Sequence, residues 1–283
     1  MSQAQELERQ EVEKQEIQQS SDPFSLSNVV SSYKFSPLKT VVYGVPGVGK
    51  TTFASAWEKP ILLRTEDGAS ALDIPTFPRV VQNIAEFRKA LNVVLKEKHD
   101  FKTLIIDSLD WLEPLVWEEV CREAKPPREN IEDFSYGKGY VLVDDKWRNI
   151  QAGLDMIRKR RDMHIVAIAH ASATIFDPPD QDPYMKYGIK LHKRVAALWT
   201  EWAEMLLFLN YQINVATAQG SGKGKATGDG DRVIYTTERP AYLAKSRWPL
   251  PDKIFIGQDP TWRNFHKELN KATKGAYQGD GKC

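Results

Sequence analysis

A chain of 283 residues with 41% hydrophobic side chains can bury one sizeable core, arranged as one or two domains. Its 39 Lys and Arg against 38 Asp and Glu leave a net charge of +1, so no global basicity points to nucleic acid, and any such contact must come from local patches. Two cysteines, Cys121 and Cys283, make neither a disulfide framework nor a zinc site, which suits a reducing cytoplasm, and no run approaches the roughly 18 apolar residues of a membrane span.

The first stretch, MSQAQELERQEVEKQEIQQS, sets five Glu against Arg9 and Lys14. Its larger aliphatics, Leu7, Val12 and Ile17, recur at a spacing that fits neither a heptad nor an amphipathic face. A flexible acidic tail over 1–32 is expected, with a partner-docking helix as the sharper alternative. Because this terminus is acidic rather than basic then apolar, no secretion leader is expected.

A core is expected over 33–270. Thr40–Tyr43 reads as a buried β-branched and aromatic strand, and GVPGVGKT follows it before FASAWEK opens a helix. Gly44, Gly49, Lys50 and Thr51 fit G-x-x-x-x-G-K-[ST], in which the glycines let backbone N–H groups curl around a phosphate. Gly44, Val45, Pro46, Gly47, Val48, Gly49, Lys50, Thr51 and Thr52 are therefore the expected nucleotide-binding segment. Lys50 would reach the β- and γ-phosphates and Thr51 would ligate Mg²⁺, with ATP and Mg²⁺ as cofactors.

A second strand, Ile61–Arg64, runs into TEDGASALD, placing Glu66 and Asp67 at its carboxyl end. Helical patterns cover Ile84–Lys98, Leu109–Ala124 and Val141–Arg161; strand signals fall at Thr103–Ile106, His164–Ala169 and Glu204–Asn210. Strands alternating with helices predict parallel βαβ units with ligands at the carboxyl ends of the strands. Asp107 closes TLIID at that edge, where its carboxylate suits the magnesium shell; capping the next helix is the alternative. An AAA-type enzyme would be expected to carry an acid directly after Asp107, and Ser108 stands there. QINVATAQ and DRVIYTTE then alternate around GSGKGKATGDG, predicting an antiparallel hairpin with a long mobile loop holding Lys223 and Lys225. A flexible tail is expected over 271–283.

The order GVPGVGKT, TED, IIDS, SYGKGY, AHAS and AKSR resembles the phage nucleotide-binding, AAA-type family of short RecA-like ATPases, which includes single-strand annealing and recombination proteins. The resemblance covers about residues 35–257 and implies a RecA-like P-loop core with a mostly parallel sheet and a C-terminal antiparallel hairpin. It implies that Glu66, followed by Ala71-Leu72-Asp73, activates water, with Asp67 in reserve. It makes His170, in HIVAIAHAS, a γ-phosphate sensor, and Lys245 and Arg247 groups that reach a neighbouring subunit's γ-phosphate.

In RecA-like folds DNA lies in loops facing a central axis, which turns attention to AKPPRENIEDFSYGKGY and ASATIFDPPDQDPYMKYGIKLHKR. Lysines interleaved with aromatics suit a single strand, and Lys138, Tyr140, Lys186, Tyr187, Lys190, Lys193 and Arg194 are the candidates. Asp177, Asp180 and Asp182 in the second loop oppose that reading. The implied function is a phage ATPase, in the host cytoplasm, that binds single-stranded DNA as a homo-oligomeric ring or filament and promotes annealing or strand exchange. The alternatives are a nucleotide-switched loader or regulator, touching a single-strand binding protein or replication partner through the N-terminal tail, and a hexameric helicase-like motor.

Overall fold

The computed structural model describes residues 25–29, 35–68, 72–212, 214–217, 224–227, 229–259 and 261–277, with Ser27, 214–217 and 224–227 as backbone only. The chain divides into two compact units, Met1–Phe35 and Ser36–Cys283. In the first, Leu26–Asn28 form a 3-10 turn whose Leu26 is exposed. The acidic stretch 1–20 lies outside the described residues, as does Lys223.

The second unit begins β1 (Lys39–Gly44), α1 (Lys50–Ser55), β2 (Pro60–Arg64), α2 (Ile84–Lys96), β3 (Thr103–Asp107) and α3 (Leu109–Glu123). It continues through α4 (Lys138–Arg161), β4 (His164–Phe176), β5 (Tyr184–Ile189), α5 (Lys193–Trp202) and β6 (Met205–Tyr211). Short elements close it: β7 (Asn214–Thr217), β8 (Gly224–Thr227), β9 (Arg232–Tyr235), β10 (Lys245–Ser246), β11 (Lys253–Gly257) and α6 (Arg263–Ala272). Among the described residues nine strands make one sheet, ordered β11-β9-β6-β1-β4-β3-β2, with β10 on β6 and β5 on β4. The run β6-β1-β4-β3-β2 is parallel throughout; β5, β9, β10 and β11 pair antiparallel. The chain therefore has the expected α/β architecture, with a mostly parallel sheet, a glycine-rich loop after β1 and an antiparallel C-terminal part.

Burial on both faces explains why the central strands are continuously apolar. Val41 and Tyr43 of β1 join the large cluster that includes Phe87, Leu112, Trp147 and Trp199 from α2 to α5. The alternation of strand side chains turns Val42, equally buried, to the opposite face. A second set of aromatics packs between α1 and the C-terminal segment: Phe53 meets Trp262 and Phe265 edge-on at 5.3 and 4.9 Å, and Trp57 meets Tyr277 at 5.5 Å. Truncating a fully buried ring such as Phe53 is expected to cost about 3–5 kcal/mol. This packing fixes the helix that follows the glycine-rich loop against the sheet.

Helix α2 starts where the sequence predicts, because Asn83 accepts the Glu86 amide at 3.0 Å and Ile84, Phe87, Leu91 and Val94 bury one stripe. Four expectations change. The stretch 171–194, read as a loop, is instead an antiparallel β4–β5 pair followed by the start of α5. Lys138 and Tyr140 stand in the first turn of α4 rather than in a loop. Among the described residues QINVATAQ meets DRVIYTTE only at its start, where the Gln212 amide donates to the Asp231 carbonyl: β7 pairs with β8, while β9 pairs with β6 and β11. The flexible tail expected from residue 271 meets a fully buried Tyr277, whose hydroxyl lies 2.7 Å from His266 Nδ1.

Candidate nucleotide site

The glycines of GVPGVGKT serve different ends. At Gly44, the last residue of β1, an added Cβ would sit 2.3 Å from the Leu209 carbonyl oxygen, so only glycine lets β1 and β6 close to pairing distance. Gly47 and Gly49 hold φ of 76° and 96°, the left-handed region that turns successive N–H groups to one side. Pro46 and Gly47 are exposed, Val48 is buried, and Val45, Thr51 and Thr52 are half-buried.

Lys50 is 7% exposed and folds back over the loop, its Nζ donating to the Gly44 and Val45 carbonyls at 3.2 and 3.1 Å. Burial pushes its pKa down, and the carboxylates of Asp107, Asp110 and Glu66 push it back up. Thr51 donates its hydroxyl to Asp107 Oδ2 at 2.8 Å. Burial raises the Asp107 carboxyl above its usual range against the lowering effect of that hydrogen bond, and Glu66 adds to the rise. A desolvated carboxylate beside a threonine hydroxyl is a hard oxygen pair of the kind that fits Mg²⁺, which draws its remaining ligands from phosphate and water. Among the described residues no cluster of three or more His, Cys, Asp or Glu offers an all-protein cage.

The ends of β2 and β3 are tied by a reciprocal pair absent from the sequence reading. The Ser108 amide donates to Thr65 Oγ1 and the Thr65 hydroxyl donates to the Ser108 carbonyl, both at 2.7 Å, while the Thr65 amide donates to the Asp107 carbonyl. Glu66 follows directly and is half-buried, within electrostatic reach of both Lys50 and Asp107. Asp67 is exposed and lies 3.7 Å from Arg64.

His170 pairs in register with Gly44 across β4 and β1. Asp110, in the first turn of α3, accepts its amide and its ring Nδ1, each at 2.9 Å. Burial alone would raise the Asp110 carboxyl, but these hydrogen bonds outweigh it and hold the group below its usual range. The only local signal for Asp110 is its place three residues after Asp107, in the first turn of α3.

The structure does not bring Lys245 and Arg247 to this edge. They sit by the amino end of β6, with Lys245 opposite Leu206, whereas Gly44 lies opposite Leu209. Lys245 Nζ donates to the Thr200 carbonyl, and burial followed by the Arg247 charge lowers its pKa. Arg247 is exposed.

The candidate DNA residues divide. Tyr187 packs its ring on Phe208 at 5.3 Å, and its carbonyl accepts the Tyr43 hydroxyl, so its ring is not offered to a base. Lys186 pairs with Glu238 and lies over the Phe176 ring. Tyr140 stacks on His192 at 4.2 Å, which brings the first turns of α4 and α5 together. Lys138, Lys190, Lys193 and Arg194 are exposed there, beside a fully exposed Tyr136, with Arg194 paired to Asp144 at 2.8 Å.

A family model described as an AAA domain matches residues 36–248. No curated protein matches the sequence. Among solved structures, the RadB recombinase is similar at 14% identity over 80% of this chain and 90% of its own, with a TM-score of 0.44. A KaiC-like protein from the hyperthermophilic archaeon Pyrococcus horikoshii is similar at 13% identity over 80% and 87%, with a TM-score of 0.39.

Proposed function

Since the chain belongs to the AAA domain family, we propose that it is a Mg²⁺-dependent ATPase whose nucleotide lies across Gly44–Thr52 and whose protein surface receives single-stranded DNA. The family match spans Ser108, so the lack of a second acid after Asp107 does not exclude an AAA-type domain. The observation that carries the reading is the Thr51–Asp107 hydrogen bond of 2.8 Å within electrostatic reach of the buried Lys50.

In this reading Lys50 exchanges its two carbonyl partners for phosphate oxygens, and Thr51 and Asp107 hold the Mg²⁺. When bound, the metal would supply charge neutralisation for the phosphates. Glu66 orients the attacking water and accepts its proton at the carboxylate. His170, fixed by Asp110, presents the rest of its ring at the phosphate edge. Catalysis is positioning and charge compensation, with little covalent work for the protein.

Single-stranded DNA is supported by the exposed Lys138, Lys190, Lys193 and Arg194 around Tyr136, cations beside an open ring. The roles of annealing or strand exchange, the homo-oligomer and the phage setting belong to the same reading and rest on the sequence resemblance. Among the described residues no helix is long and apolar enough to cross a membrane. Fluorescence anisotropy of labelled oligonucleotides, with and without ATP and at two salt concentrations, tests the DNA part. Salt-sensitive binding strengthened by ATP is expected, and no binding at low salt would refute it.

A further inference from the structure

The glycine-rich loop has two unlike sides. On the β4 side stand Asp107, His170 and, beyond them, Glu66, the groups suited to metal, phosphate and water. A polyphosphate whose terminal end points there must leave with its nucleoside toward β6. That side is built by residues to which the proposed function gives no work. Tyr211, the last residue of β6, donates its hydroxyl to the Gly47 carbonyl at 2.9 Å. Its partner in register is Arg232 on β9.

Arg232 lies over the Trp262 ring, its guanidinium carbon 5.0 Å from the centroid, and its Nε donates to the Gly257 carbonyl at 3.3 Å. A Cβ placed on Gly49 would come 3.3 Å from Arg232 Nη1 and 3.1 Å from Trp262 Cζ2, so both side chains border the loop backbone itself. Among the described residues no carboxylate forms an ion pair with Arg232, although it is half-buried. The Trp262 face and the Gly257 carbonyl hold the guanidinium and use one of its five N–H groups, leaving the Nη pair beside the loop. A planar cation held in one orientation, without an acid of its own, suits an oxyanion.

We infer that Arg232 is a second cationic contact for the bound nucleotide, meeting its phosphates from the nucleoside side of the loop while Lys50 serves the terminal side. The inference rests on the nucleotide reading above. It makes Arg232 a residue of ground-state binding, one that holds the substrate without acting on the bond that breaks.

The test is titration with a fluorescent ADP analogue carrying a methylanthraniloyl group, paired with steady-state ATPase kinetics, on the full chain. Arg232→Gln is expected to raise the analogue's Kd and the KM for ATP at least about tenfold, with kcat at saturating ATP within about twofold of wild type. Arg232→Lys, which keeps the charge and loses the fork, is expected to fall between, at about threefold. A folded Arg232→Gln protein with wild-type Kd would overturn the inference and leave Arg232 as packing for the Gly257 turn. A lower kcat with unchanged Kd and KM would also overturn it, by moving the guanidinium's work to the terminal phosphate. Should Arg232→Gln fail to fold by circular dichroism, Arg232→Lys decides, and wild-type affinity in it counts against the contact. If wild type itself does not bind the analogue, the nucleotide reading fails. If Lys50→Ala weakens binding and Arg232→Gln does not, only the Arg232 contact fails.

Discussion

Thr51 reaches Asp107 across 56 positions of sequence to make a 2.8 Å hydrogen bond, and nothing but the parallel sheet brings them together. β3 is separated from β1 by β4, so the carboxylate approaches the loop from beyond the neighbouring strand. Since burial already raises the Asp107 carboxyl, its charge is held against a desolvation penalty that a cation would relieve. Asp107→Asn keeps an acceptor for Thr51 and removes the charge. It is expected to lose at least about a hundredfold in Mg²⁺-dependent turnover while its melting temperature at pH 7 does not fall. A Mg²⁺ titration of ATPase activity and a thermal melt check both halves. Lys50→Ala should likewise abolish hydrolysis without unfolding the chain, because burial already disfavours the Lys50 charge.

Two adjacent acids are expected to behave differently for a reason visible in their surroundings. Glu66 is half-buried and faces the Lys50 and Asp107 charges, whereas Asp67 is exposed and paired with Arg64. Glu66→Gln should keep ATP binding and lose turnover at least about a hundredfold, and Asp67→Asn should lose much less. Single-turnover hydrolysis beside nucleotide binding measures the two effects separately, and the reverse ranking would transfer the base to Asp67.

Glu113 supplies a pH-dependent stability. Its side chain is 8% exposed, and burial pushes its pKa up from 4.5 to about 7, against the His192 amide that it accepts and with Asp110 adding to the rise. Between those values the folded protein holds a proton that the unfolded chain has released, so stability from this group is full below pH 4.5 and lost as pH rises through 7. Glu113→Gln is neutral at every pH and still accepts the amide. It should exceed wild type by roughly 2–3 kcal/mol at pH 8 and match it near pH 4, measured by urea denaturation at both values. A variant less stable than wild type at pH 8 would show that the carboxylate is charged and paired there.

The parallel strands and three helices could be read from sequence because their signals are local: apolar runs for strands buried on both faces, and helical periodicity for α2. The phosphate loop was legible because its glycines answer a backbone need. What was missed depends on long-range pairing. The β4–β5 hairpin hides behind DPPDQDP, whose prolines and acids read as loop although the flanking residues pair across it. Tyr187 reads as a DNA aromatic until the sheet places it on Phe208. Asp110, Arg232 and Trp262 have no motif around them and acquire their neighbours only when β4 and the ends of β6 and β9 meet the loop.

That division governs the proposed DNA surface. Tyr187→Ala should destabilise the fold, since the ring is packed, and affect DNA binding only through that loss. Lys138→Ala and Lys193→Ala, at exposed positions, should leave the melting temperature within about a degree or two and weaken all oligonucleotides alike. Each should also reduce the slope of log affinity against log salt by about 0.7, the single-strand value for one phosphate contact. Anisotropy titrations over a salt series give the slopes directly. Unchanged slopes in both variants would remove this surface from the DNA path.

Arg247 cannot be assigned to its own chain's phosphates without crossing the sheet. Ser246 lies opposite Met205 on β6 and Gly44 opposite Leu209, a separation of four residues, or roughly 13 Å along the strand. The Arg247 amide is tied to the Glu204 carbonyl at 3.0 Å, which anchors its backbone at the amino end of the sheet while its side chain remains exposed. Lys245, two residues earlier, already gives its ammonium to Thr200, so of the pair Arg247 is the one free to serve a head-to-tail neighbour. If it does, Arg247→Ala chains and Glu66→Gln chains, each nearly inactive alone, should regain part of the ATPase activity on mixing, because some interfaces pair an intact Glu66 with an intact Arg247. Specific activity should also rise with protein concentration or with single-stranded DNA. Turnover that is independent of concentration, with no rescue on mixing, would leave Arg247 a surface charge and make the active site complete within one chain.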